Sequence, residues 1–130
     1  NPRKEGSDPM HAFLVARDPV SGKEAWRVRY EEVAHSAVLA TAGDLVFVGN
    51  AMGWLEARDA ANGKELWKFN NGQPHEGGIV SYSVGGKQYV AAVVGRGSLV
   101  MDGYDDWWPN TFGKKHFTTD TGALVSFTLP

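Results

Sequence analysis

The sequence predicts an all-β fold in which small antiparallel sheets repeat like the blades of a propeller. Three observations carry this reading. First, Ala16-Arg17-Asp18-Pro19-Val20-Ser21-Gly22-Lys23-Glu24-Ala25-Trp26 returns as Ala57-Arg58-Asp59-Ala60-Ala61-Asn62-Gly63-Lys64-Glu65-Leu66-Trp67, with seven of eleven positions identical at an offset of 41 residues. A repeat of that period marks stacked or radially arranged units. Second, each copy reads as strand, tight turn and returning strand. The Asp side chain organises the turn, the Gly supplies a positive φ, and the Trp falls on the second strand. Third, four strands within about 40–45 residues is the spacing of one propeller blade.

The elements follow in order. Residues 1–10 are polar, broken by Pro2, Gly6 and Pro9, and read as an N-terminal arm. Residues 11–30 form half a blade: Ala12–Arg17 is a strand, Asp18–Lys23 the turn and Glu24–Tyr30 the return. Glu31–Ser36 connects to residues 37–70, a full blade with strands at Ala37–Thr41, Leu45–Gly49, Trp54–Asp59 and Glu65–Asn70. The run Leu45-Val46-Phe47-Val48 is apolar without alternation, which predicts a strand covered on both faces. Asn71–Gly78 is a loop rich in turn residues. Residues 79–130 make an incomplete blade, opening with Ile79–Val84 and Lys87–Val94 around a Gly85-Gly86 turn. Tyr89–Val94 is a second run predicted to be covered on both faces. Residues 95–122 form a long loop without periodicity, a length that in compact domains usually serves a function. Ala123–Leu129 is the last strand.

Bulk properties narrow the classes. The 130 residues suffice for one ordinary domain. A net charge of −2 gives no reason to expect nucleic acid or an anionic membrane as partner. No apolar run approaches the length of a membrane span. There is no cysteine, which excludes disulfides and thiolate metal sites within the chain. The histidines at 11, 35, 75 and 116 have no zinc-ligand spacing, and there is no G-x-S-x-G, phosphate loop or dinucleotide fingerprint. The opening Asn-Pro-Arg-Lys-Glu-Gly reads as a processed product or a fragment, with no signal peptide. Half a blade, a whole blade and three further strands do not close a ring. Sheet edges and blade faces would be left bare, so the chain is expected to need a larger companion polypeptide, which would supply a fourth strand to the last sheet.

The repeat A-x-D-x-x-(S/N)-G-K-E-x-W resembles the tryptophan-docking motif of the quinoprotein alcohol dehydrogenases, which use pyrroloquinoline quinone (PQQ). Two further blocks are similar to that family: Val38-Leu39-Ala40-Thr41-Ala42-Gly43-Asp44-Leu45-Val46-Phe47-Val48-Gly49, and Tyr82-Ser83-Val84-Gly85-Gly86-Lys87-Gln88-Tyr89-Val90-Ala91. The ending Gly122–Pro130 looks like its C-terminal strand. The resemblance implies the C-terminal segment of an eight-bladed β-propeller, about two blades plus part-blades. It implies oxidation of a primary or secondary alcohol to an aldehyde or ketone in the periplasm, with electrons passed to a cytochrome or another acceptor. PQQ and a calcium or lanthanide ion would be the cofactors, with the metal ligands and the catalytic base in the rest of the propeller and none in this chain.

Within the chain, the resemblance singles out His35, before the Val38 strand, and Gly95-Arg96 as cofactor-facing positions. Both depart from the family pattern, which has Trp or Asn near the first and Gly-Trp-Gly at the second. A histidine can hydrogen-bond a quinone or substrate oxygen, and an arginine can pair with one of the three PQQ carboxylates. The alternative is that both are ordinary loop residues at a strand end. His75 precedes the next inner strand and is a candidate for the substrate pocket. Trp107 and Trp108, in Asp102–Asn110, are candidates for its rim or for packing on a neighbouring blade. Trp26 and Trp67 are structural docking residues that fill the space between wedge-shaped sheets. Two other readings compete: a non-enzymatic propeller scaffold, such as an outer-membrane assembly lipoprotein, and a subunit that only supports a partner's active site.

Overall fold

The computed structural model describes residues 11–31, 34–95 and 122–128. Among them nine strands run in chain order: β1 (Ala12–Arg17), β2 (Glu24–Tyr30), β3 (Val38–Ala40), β4 (Leu45–Gly49), β5 (Trp54–Asp59), β6 (Glu65–Asn70), β7 (Ile79–Val84), β8 (Lys87–Val94) and β9 (Ala123–Thr128). They form three sheets, β1-β2, β3-β4-β5-β6 and β7-β8-β9, each an antiparallel meander of sequential neighbours. The fold is all-β, a partial propeller in which, among the described residues, one four-stranded blade is flanked by a two-stranded and a three-stranded sheet.

The repeat folds alike in both copies. In the first, the Asp18 amide donates to the Lys23 carbonyl and the Gly22 amide to the Asp18 carbonyl, each at 2.9 Å. In the second, Asp59 N–H reaches Lys64 O at 2.9 Å and Gly63 N–H reaches Asp59 O at 2.8 Å. The Asp carboxylate takes the amide two residues on, Val20 at 3.0 Å and Ala61 at 2.7 Å. This is the side-chain turn that aspartate favours. Each hairpin shifts register at the same place, between Ala16 and Arg17 and between Ala57 and Arg58. The third hairpin turns on Gly85 and Gly86 at φ 58° and 77°, the pair of positive values that a two-residue hairpin turn requires.

The core lies between the second and third sheets. Phe47, Leu55 and Ala57 face Ile79, Val90 and Ala92, with Leu39, Leu45 and Phe127 at the margin. Two expectations need correction. The first strand of the full blade is Val38–Ala40, because Thr41 already enters the turn and bonds Leu45 O through its amide at 2.9 Å. The β8 run is not covered throughout: Val93 is 48% exposed, on the face shared with Val80, Tyr82 and Leu124. In β4, by contrast, Val46, Phe47 and Val48 are all buried.

Candidate functional site

The meander brings the connectors between β2 and β3, β4 and β5, and β6 and β7 to one end of the sheets, where β8 also finishes. Backbone bonds tie them together. Ala37 N–H donates to Gly77 O at 3.2 Å, His75 N–H to Asn50 O at 3.0 Å and Gly95 N–H to Pro74 O at 2.9 Å. The Ser36 hydroxyl accepts from the Gly49 amide at 2.7 Å. His35, Gly95 and His75, far apart in sequence, therefore gather at this end.

Their environments differ. His35 is exposed, next to the anchored Ser36. Gly95 is half-buried at φ 129°. His75 is fully buried, its ring against the backbone of Gly49. A Cβ on Gly49 would lie 2.3 Å from His75 Cβ and 2.5 Å from Cγ, so only glycine fits there. Burial pushes the His75 pKa down from its usual value, partly offset by the Gly53 backbone, and the ring is neutral at pH 7. Arg96, Trp107 and Trp108 lie outside the described residues.

The docking tryptophans sit in the seams between sheets. The Trp26 indole N–H donates to Ala60 O at 2.8 Å. Its ring covers Gly63, where an added Cβ would lie 2.7 Å from Cε3. Trp67 meets Phe127 edge-on with centroids 5.2 Å apart, stacks on Phe69 and stays 40% exposed. A cavity of about 460 Å³ lies beside it, lined among others by Phe47, Leu66, Gln88 and Val90.

Sequence reasoning missed a buried polar group in the first seam. Arg58 pairs with Glu56 at 2.6 Å, and the Tyr30 hydroxyl donates to Glu56 at 2.8 Å. Arg58 also donates to Gly63 O at 2.9 Å, which fixes the turn beneath Trp26. Burial, then donation to Glu56, holds the Tyr30 hydroxyl well above its usual range. Burial works against the Arg58 charge, but Glu56 and Tyr30 together outweigh it and the guanidinium pKa is raised. The available signal was a Glu and an Arg inside the otherwise apolar Trp54–Arg58 run.

Toward a cofactor the described residues of the connector end offer backbone amides and carbonyls and the exposed His35 ring, and no basic side chain. Among the described connector residues, 31, 34–37, 50–53, 71–78 and 95, the carboxylates are Glu31, paired with Arg29 at 2.9 Å, and Glu76. No cluster of three or more metal-ligating side chains occurs among the described residues.

Antiparallel sheets keyed to one another by tryptophan hairpins define a β-propeller. The chain belongs to the PQQ family described as glucose/ethanol/alcohol dehydrogenase, β-propeller domain, which it matches over residues 18–90. It is 42% identical to the quinoprotein alcohol dehydrogenase PedH of Pseudomonas putida over 90% of this chain and 19% of the relative. It is 41% identical to the dehydrogenase subunit of the quinone alcohol dehydrogenase of Gluconacetobacter polyoxogenes, over 92% of this chain and 16% of that subunit. Among solved structures, a europium-containing methanol dehydrogenase superposes on 97% of this chain and 24% of its own, at TM-score 0.78 and 28% identity. The quinohemoprotein alcohol dehydrogenase of Comamonas testosteroni superposes on 95% of this chain and 17% of its own, at TM-score 0.74 and 31% identity. The chain thus spans about a fifth of the length of the curated relatives it matches.

Proposed function

We propose that this chain is the C-terminal sector of a PQQ-dependent dehydrogenase that oxidises primary or secondary alcohols in the periplasm and passes electrons to a cytochrome or a comparable acceptor. The observation that carries the reading is the gathering of His35 and Gly95 at one end of tryptophan-keyed sheets. When bound, the quinone supplies the oxidising chemistry. This chain contributes position and hydrogen bonding: His35 presents a ring nitrogen toward a quinone or substrate oxygen. Gly95 brings backbone close to the cofactor, and Arg96 beside it offers a guanidinium for a PQQ carboxylate. The metal, calcium or a lanthanide, and the base that takes the alcohol proton belong to blades outside this chain. Trp107 and Trp108 form the rim of the alcohol entrance.

The larger partner is the remaining propeller. Its strands cover the edge of β9 that is unpaired among the described residues and the apolar face of the third sheet, where Val80, Val93 and Leu124 are 55%, 48% and 69% exposed. Among the described residues no helix is long and apolar enough to cross a membrane. The test is reconstitution of the full-length protein with PQQ and calcium or a lanthanide, followed by dye-linked alcohol oxidation. Alcohol-dependent dye reduction that disappears without PQQ is expected. A purified full-length protein that neither binds PQQ nor reduces dye would overturn the reading.

A further inference from the structure

We propose that His75 is a positioning residue that sets the spacing of the His35 and Gly95 connectors, and that it touches neither cofactor nor alcohol. The inference rests on the quinoprotein reading above, and assigns this buried histidine a role within it.

The argument begins with Gly49, the last residue of β4. Its backbone amide is bonded to Ser36, next to His35. Its Cα is covered by the His75 ring. The residue before His75, Pro74, accepts the Gly95 amide through its carbonyl. A continuous chain of contacts therefore runs from His35 and Ser36 through Gly49 and His75 to Pro74 and Gly95. The His75 backbone amide is anchored separately on Asn50 O.

Hydrogen bonding fixes the state of the ring. Asn71 Oδ1 accepts from the Gln73 amide at 2.8 Å. Its Nδ2 must then point the other way, and it lies 2.9 Å from His75 Nε2. Nε2 is the acceptor, so the ring is neutral with its proton on Nδ1. Nδ1 is buried, with no hydrogen-bond partner among the described residues. A second proton, on Nε2, would face the Asn71 amino group donor to donor. Flipping Asn71 to receive that proton would break its bond to Gln73. The latch holds only while His75 is neutral.

Burial outweighs the Gly53 backbone, the one contact that favours a charged ring. The 49–53 segment contributes Gly49, Asn50, Ala51, Met52 and Gly53, none of them titratable. The 71–78 loop adds Glu76, and His35 lies on the neighbouring connector. The folded ring has a lowered pKa, so the latched state binds fewer protons than an open one below the free value of about 6.5. The latch is therefore complete above that pH and is lost as the pH falls through and below it.

The test is PQQ binding by the full-length apoprotein, read from cofactor absorbance or protein fluorescence quenching. His75→Phe keeps the volume and removes the acceptor. His75→Gln keeps an oxygen that Asn71 can donate to. Expected are a rise of about tenfold or more in PQQ Kd for His75→Phe and recovery to within about threefold for His75→Gln. Wild-type affinity should weaken between pH 7.5 and 5.5, and that of His75→Gln much less, a comparison that remains if His75→Phe does not fold. If His35→Ala weakens PQQ binding and His75→Phe does not, the positioning role is wrong and the cofactor reading stands. If neither variant changes PQQ binding, the cofactor role of His35 falls and the latch with it. If His75→Gln is as defective as His75→Phe while melting normally, the ring contacts cofactor or substrate directly, and the proposal is overturned.

Discussion

Two seams join the three sheets, and the same hairpin motif behaves differently in each. In the first seam Trp26 closes onto the next sheet's turn. It donates to Ala60 O and lies flat on Gly63, while Tyr30, Glu56 and Arg58 form a buried polar lock behind it. In the second seam Trp67, 41 residues later, meets aromatic edges instead. Phe127 stands where Arg58 stands in the full blade, the cavity beside it is apolar, and Trp67 stays 40% exposed. The comparison teaches that the motif is half of a joint. The tryptophan docks when the following sheet offers a glycine turn, and among the described residues only the full blade does so.

The largest effect expected from breaking this contrast is at Arg58. Arg58→Met removes one partner of a pair whose side chains are 10% and 9% exposed, leaving the Glu56 charge in the seam. Breaking a buried pair in this way costs about 3–5 kcal/mol. Hydrogen exchange of the β2 and β5 amides in the full-length protein should show local opening easier by about that much. Arg17, the equivalent of Arg58 in the first copy, is exposed and pairs with Glu24 at 3.1 Å. Arg17→Met should cost at most about 1 kcal/mol. Equal costs would show that the buried lock does not hold the seam.

Gly63→Ala comes next. The residue sits at φ 74°, and the new Cβ would meet the Trp26 ring. Left-handed strain of about 1–2 kcal/mol adds to overpacking of about 1–3 kcal/mol. Gly22→Ala has the same strain at φ 69° but open space around it, so it should cost the strain alone. The difference between the two, read from exchange protection of each turn, measures how firmly Trp26 is seated.

Substituting the tryptophans compares the seams directly. Trp26→Phe deletes the bond to Ala60 and should cost about 1–2 kcal/mol beyond the lost area. Trp67→Phe loses area only and should cost less. Should the two prove equal in the full-length protein, Trp67 is docked on a turn supplied by another part of the propeller.

How much of this was legible in the sequence follows the range of each interaction. Strand positions were readable because Asp18, Gly22, Asp59, Gly63 and the Gly85-Gly86 pair impose local turn geometry that needs no distant partner. The Tyr30–Glu56–Arg58 group was not readable, because Tyr30 comes from another sheet and no local pattern encodes which strands face each other. The apolar Tyr89–Val94 run told that both faces suit cover, but not that Val93 would stay 48% exposed among the described residues. At the connector end, His35 and Gly95 were singled out only by the family resemblance. The burial of His75 was not readable, since it depends on Gly49, 26 residues earlier, having no side chain.

The smallest effect sharpens the comparison at the turns themselves. The Ser21 amide and hydroxyl, with the Val20 amide, hold the Asp18 carboxyl below its usual range. A depressed folded pKa means that the turn is supported above the free value of about 3.9 and loses that support as the pH falls through the folded value. Asp18→Asn imitates the protonated state at neutral pH and should loosen the 18–23 turn, which lies open to solvent. Asp59→Asn neutralises the equivalent position, but Arg58 still holds Gly63 O and Trp26 still covers the turn from outside. Exchange of peptides spanning 18–23 should therefore quicken more in the first variant than exchange of 59–64 does in the second. Equal loosening would mean that the aspartate alone holds each turn and that the tryptophan lid adds nothing to it.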